Sequence, residues 1–225
     1  MIRRRLQIRE TIATILADDE PAIEKAREGI IRARQELEHY VAVDPFFVST
    51  LEPYPVRTGI RTVDRMAEAG VRAGVGPMAA VAGAVAEFVS KDLLTLSEEI
   101  IIENGGDIYL ATSKERTIGI YAGDSPLSLK IGVLIQTEDS PLGICTSSGT
   151  VGPSLSFGKA DAICILSKSA ALADAAATAV GNRVKARKDI ESGLETGKTI
   201  EGVLGTLIII GERMGVWGNI RLVQL

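Results

Sequence analysis

Residues 100–112 read Ile-Ile-Ile-Glu-Asn-Gly-Gly-Asp-Ile-Tyr-Leu-Ala-Thr. Two apolar runs rich in Ile flank Asn104-Gly105-Gly106-Asp107. Asn-Gly between such runs predicts a β-hairpin, because both turn residues must adopt positive φ. The same turn has a second reading. Paired glycines let a backbone approach a ligand closely, and the flanking carboxylates Glu103 and Asp107 can bind a hydroxyl, an amine or a metal.

Toward the C-terminus, strands are expected at residues 117–121, 129–135, 143–146 and 162–166. A helix over 170–184 follows, with Ser169 as N-cap. Another is expected over 187–196, then a hairpin of strands 206–210 and 216–223. Toward the N-terminus, residues 6–16 read as one or two strands, and Asp18-Asp19-Glu20-Pro21 reads as a helix start. Ile23, Ala26, Ile30, Leu37 and Val41 repeat at helical spacing, while Glu24, Lys25, Glu28, Arg32 and Glu36 form a solvated face. Three prolines make 44–57 a long loop. A helix is expected over 60–73, and another from Pro77 to about Val89 whose small residues imply burial. Strands joined by short turns, with helices on them, predict an α+β fold with an antiparallel or mixed sheet, and residues 1–225 read as one domain.

Composition bounds the function. The chain has 225 residues, 46% hydrophobic and 24% charged, which suits a globular protein with a sizeable core. A net charge of −4 and no basic stripe exclude a nucleic-acid binder. No run of about 18 apolar residues predicts a membrane span. Two cysteines and no export signal lead to the expectation of a reducing, cytoplasmic setting. Mean hydropathy of +0.20 and many small residues are compatible with a homodimer.

Three further segments carry candidate chemistry. In Cys145-Thr146-Ser147-Ser148-Gly149-Thr150-Val151-Gly152, hydroxyls and backbone N–H groups between glycines can form an anion nest, or a plain surface loop. Cys145 in that setting is either a reactive thiolate or a quiet buried thiol. Asp174 and Thr178 are four apart on an alanine-rich helix. They share one face, which suits a hard cation or a tight helix contact. Gly74-Val75-Gly76-Pro77-Met78-Ala79 spells G-x-G-x-x-A, but without the preceding strand a dinucleotide fold needs. His39 is the only histidine and sits on a solvated helix, which argues against zinc sites and Ser-His-Asp chemistry.

In order, the segments ENGGDIYL (103–110), CTSSGTVG (145–152) with SLSFGKAD (154–161), and SAALADAAATAVGN (169–182) resemble the ApbE-like superfamily. Its best-known members are Mg²⁺-dependent FAD:protein FMN transferases. The likeness is nearest to an uncharacterised prokaryotic branch. The resemblance implies an ApbE-like α+β fold and a divalent metal on Asp174 and Thr178, the Asp and Thr of the A-D-x-x-x-T motif. It implies FAD or FMN near Asn104, Gly105, Gly106, Thr146, Ser147, Ser148, Gly149 and Thr150. Asp107 and Cys145 are the catalytic candidates, and a protein substrate is implied as partner. The chain departs from the transferases where their His segment follows T-S-G: it has Gly152-Pro153-Ser154, which predicts weak FMN transfer. Two other readings stand beside this one: persulfide handling by Cys145 in sulfur assimilation, and a non-catalytic ligand-binding scaffold.

Overall fold

The computed structural model describes residues 1–150 and 157–225. Strands β1 (Ile2–Ile8) and β2 (Thr11–Ala17) lead into helices α1 (Glu20–Val43), α2 (Phe46–Ser49), α3 (Arg61–Ala73) and α4 (Val81–Leu93). Strands β3 (Ile100–Asn104), β4 (Asp107–Ala111), β5 (Arg116–Gly119), β6 (Ile131–Ile135), β7 (Leu142–Ser147) and β8 (Ala162–Ser167) follow. Helices α5 (Ala170–Arg183) and α6 (Ile190–Thr199) precede β9 (Val203–Ile210), β10 (Arg213–Gly218) and β11 (Arg221–Gln224). Eight strands form one sheet in the order β1-β2-β3-β4-β7-β8-β9-β10, and three form a second in the order β11-β6-β5. Every described pairing is antiparallel.

The unbroken apolar runs of β3, β8 and β9 mark strands covered on both faces. Ile100, Ile102, Ile163 and Ile165 point into a core beneath α1, α4 and α5. Ile101, Ala162, Cys164 and Leu166 point the other way, against Val133, Ile135 and Ile120 of the small-sheet region. A third apolar cluster lies outside α5, where Ala171 and Ala175 meet Val63, Met66 and Ala67 of α3. Thus α5 is a central helix, apolar on nearly all sides because it is covered on nearly all sides.

Local chemistry sets the element ends. Asp19 caps α1, accepting from Ala22 N–H, and Ser169 caps α5, accepting from Leu172 N–H. Gly74 ends α3 at φ +73°, a left-handed cap that a Cβ would strain. The expected helix from Pro77 begins as a 3₁₀ turn (Pro77–Ala80) and continues as α4 to Leu93. The 44–57 loop contains α2, and the expected strand 216–223 is two strands in different sheets. The break falls at Gly218, whose φ of +78° turns the chain where a Cβ would sit 2.2 Å from Leu204 O. Among the described residues no single helix is long and apolar enough to cross a membrane; a bent pair spanning α3 and α4 passes by composition, and its apolar faces pack in the core.

Glu99, 4% exposed, ties the two sheets together. Its carboxylate accepts from Ser113 N–H (2.8 Å), Ser113 Oγ (2.6 Å), Thr112 Oγ1 (2.8 Å) and Arg116 Nη2 (2.8 Å). Burial opposes its charge, but these donors win and hold the acid down at about 2. Glu99→Gln is expected to cost about 2–3 kcal/mol, or about 5–10 °C in melting temperature for a chain of this size. A depressed folded pKa stabilises above the unfolded carboxylate value, and that gain is lost as pH falls through about 2. The gap between wild type and variant therefore narrows in thermal melts run from pH 6 down toward pH 2.5.

Candidate functional site

The site grows from one close approach. Gly83, in the first turn of α4, lies so near α5 that a Cβ there would sit 2.2 Å from Ala170 O and 2.9 Å from Asp174 Cβ. Only a glycine fits, and its free N–H donates to Asp174 Oδ2 at 2.9 Å. First-turn amides have no partner within their own helix, and they favour negative charge. The Asp174 carboxylate fills that need. Burial nevertheless pushes it up to about 7, against the N–H bonds from Gly83 and Ala82.

Asp107 arrives from the sheet. The β3–β4 hairpin pairs Asn104 with Asp107, and its two turn residues are Gly105 (φ +66°) and Gly106 (φ +104°). Asn104 is thus the last strand residue rather than a turn residue, and its Nδ2 donates to Ala82 O at 3.2 Å. That bond docks the hairpin on the start of α4. Asp107 is buried, at 8% exposure. Burial first, and the Asp174 charge second, push its pKa well up, opposed by the neighbouring Cys145 thiol and Thr146 N–H. Two desolvated carboxylates facing each other favour a shared proton or a cation.

Two lobes of a cleft meet at this pair. The first, about 430 Å³, mixes apolar side chains such as Val48, Leu51, Met78, Val81 and Phe157 with Thr50, Glu52 and Asn182. The second, about 320 Å³, is lined by Glu103, Gly105, Gly106, Tyr121, Ser147 and Ser148 among others. Asp107, Asp174 and Thr178 line both. The Thr178 hydroxyl makes no hydrogen bond among the described residues. No group of three His, Cys, Asp or Glu side chains placed to hold a metal ion occurs among the described residues. Two carboxylates and a hydroxyl form a hard oxygen set that suits Mg²⁺, which keeps waters and phosphate oxygens as its remaining ligands.

The cleft therefore unites Gly105, Gly106, Asp107, Thr146, Ser147, Ser148, Asp174 and Thr178. It leaves out four candidates. Asn104 holds the hairpin to α4. Gly149 N–H donates to Ala160 O, and Thr150 Oγ1 to Asp161 Oδ1 at 3.2 Å, so both tie the chain to the start of β8. Cys145 lies inside β7, not in a loop, at 0% exposure, and its Sγ bonds Ala170 O at 3.2 Å. Burial, then the charges of Asp107 and Asp174, push its thiol well up, the reverse of a thiolate site. That removes the feature on which persulfide chemistry rested. Pro153 and its neighbours 151–156 lie outside the described residues. Sequence reasoning missed Gly83, although its run of small residues carried the signal, and Tyr121, which nothing local marked.

Two outcomes follow. Asp107→Asn removes a desolvated charge beside another, so it is expected to raise stability at pH 8 by about 1–2 kcal/mol, about 3–8 °C, in thermal melts. The sign follows from the raised folded pKa: the acid costs stability above its unfolded pKa, most fully once pH passes the folded one. Cys145 and Cys164 are expected to resist alkylation in the folded protein, because both are buried on opposite faces of the sheet. Mass-spectrometric mapping that finds rapid labelling of Cys145 would contradict this.

A family model described as AbpE bacteria matches residues 2–214. A UPF0280 protein of Methanosarcina acetivorans is 45% identical over 222 residues, covering 97% of this chain and 87% of that protein. One from Methanoculleus marisnigri is 48% identical, covering 98% and 90%. Among solved structures, the flavin transferase ApbE from Vibrio cholerae superposes with a TM-score of 0.63 at 12% identity, covering 96% of each chain. The ApbE protein of Thermotoga maritima gives 0.61 at 13% identity, covering 95% and 96%. At these identities the likeness to the solved structures shows the ApbE-like fold.

Proposed function

The chain belongs to the AbpE bacteria family, and we propose that it binds a flavin nucleotide through a divalent cation at the junction of the two lobes. The observation that carries this reading is the meeting of Asp107, Asp174 and Thr178 between two separate lobes. A ligand with a diphosphate at its middle and an arm at each end matches that shape. FAD is such a molecule. Asp174 and Thr178 would hold Mg²⁺, which supplies charge neutralisation at the diphosphate. Asp174 is kept in place by the Gly83 amide, so its carboxylate is already oriented before ligand arrives. Asp107 is the group at the junction that holds or takes a proton. Val48, Leu51, Met78, Val81 and Phe157 of the first lobe offer apolar contact to a planar ring system.

Transfer of FMN to a protein partner is the further step that the resemblance to the flavin transferases suggests. It is expected to be weak here, since Pro153 stands where the transferases carry their His segment.

A thermal-shift panel of FAD, FMN, ATP and NAD, each with Mg²⁺ or EDTA, tests the reading on wild type and Asp174→Ala. Ligand at about 100 times its dissociation constant adds roughly 2.7 kcal/mol, on the order of 5–10 °C. The expected result is a Mg²⁺-dependent shift for FAD that Asp174→Ala abolishes. A shift that survives both EDTA and the substitution removes the metal role. No shift with any nucleotide sinks the reading.

A further inference from the structure

Among the described residues, the large sheet ends in two strands with one free side each, β1 and β10. Such an edge presents a row of unpaired N–H and C=O groups to any strand that can align with it. The two edges are built differently. β1 carries Arg3, Arg4 and Arg5 in succession, all exposed. A second β1 laid against it would crowd the guanidinium groups of both copies at one join, so this edge rejects its own kind. β10 has no proline and a single charge, Arg213, at its start. Gly215 lies against Ile190 and Leu194 of α6, and Trp217 packs on the helix-side core. Arg213, Gly215 and Trp217 therefore share the α6 face, and Met214 and Val216 point the other way. Those two apolar side chains are 45% and 38% exposed. Nothing on this edge protects it from pairing.

The sequence of β10 is complementary to itself. Residues directly opposite in an antiparallel pair point to the same face and touch. With a two-fold axis through Gly215, perpendicular to the sheet, Met214 of each copy meets Val216 of the other on the exposed face. On the α6 face, Arg213 of each copy meets Trp217 of the other, where a guanidinium over an indole ring is attracted. Gly215 faces itself at the axis, and its missing Cβ leaves room for Ile190 and Leu194 of each α6. No like charges are opposed. We propose that β10 is a homodimerisation edge and that a second copy of this chain pairs with it in this register. The join is isologous, so it closes at two copies. A β10-to-β1 join would instead run head to tail, leave edges open, and set Met214 and Val216 against the arginine run. Strands β8 and β9 separate β10 from β4 and β7, so both clefts stay open in the dimer.

The test is sedimentation velocity on the full chain over a wide range of concentration, with a circular-dichroism melt on each variant to show that it folds. Wild type should reach twice the chain mass of 23.9 kDa. Trp217 is the only tryptophan, so dilution through the dissociation constant should shift its emission to the red in step with the mass. Met214→Lys combined with Val216→Lys opposes like charges twice and should weaken the dimer by more than about a hundredfold. Met214→Glu combined with Val216→Lys opposes unlike charges in the same register. It should restore the dimer, with an affinity that now falls as salt rises. Arg213→Ala should weaken it by about two- to tenfold. A wild-type monomer at every concentration overturns the proposal. So does a dimer that survives the paired lysine substitutions, or one that the Glu and Lys combination fails to restore. Growth beyond two copies points to the β10-to-β1 join and overturns it as well.

Discussion

The approach of α4 to α5 at Gly83 is the contact on which the rest of the site depends. With a side chain there, the first turn of α4 would have to withdraw from Ala170 O by more than an ångström. The Gly83 N–H would then lose Asp174, and Asn104 would lose the Ala82 carbonyl that docks the hairpin. One missing Cβ thus holds three pieces in register: a helix start, a helix face and a sheet turn. The alanines of α5 extend the same logic, since Ala170, Ala173 and Ala176 let it lie close to the sheet while Ala171 and Ala175 admit α3 on its outer side. Small side chains bring backbones together, and backbone proximity is what aligns Asp174 with Asp107.

This arrangement sets a polar junction over an apolar base. Cys145, directly on the helix side of β7, fills the space beneath the acids and donates to Ala170 O. A larger residue at that position would press on α5, and a charged one would add to an already strained electrostatic pair. The thiol acts as a small apolar filler with a weak donor, the usual behaviour of a buried cysteine. The sequence placed Cys145 both in an expected strand at 143–146 and at the head of a Gly/Ser/Thr segment read as a nest or a loop. The structure instead continues β7 to Ser147, because Thr146 and Ser147 still pair with Cys164 and Ile163 of β8.

Much of the fold was legible because its signals are local. The hairpin at Gly105-Gly106, the Ser169 cap and the apolar runs of β3 and β8 each follow from a few adjacent residues. The grouping of Asp107, Asp174 and Thr178 was legible through the order of motifs rather than through spacing, since 66 residues of chain lie between the two acids. What was not legible is long-range. Nothing near Val216 or Val223 reveals that the chain leaves one sheet for another at Gly218, because the cause is Leu204 O, packed from a different strand. Tyr121 enters the cleft only because the small sheet folds across the ends of β3 and β4.

The position of the small sheet also explains how the two halves of the cleft are lined. On the helix side, the cleft wall is made by segments that also pack a core, so Met78, Val81 and Val75 are apolar by necessity. On the other side, the wall is the rim where the two sheets part, and strand ends there expose polar positions of the period-two pattern. Glu103 occupies such a position, the last on the small-sheet face of β3, whereas Ser147 shares the helix-side face of Cys145. Asp107 sits where the two regimes meet, which accounts for its being both buried and charged in sequence terms. The cost of that placement is carried by the sheet on one side and by the first turn of α4 on the other, so the acids are held by rigid elements.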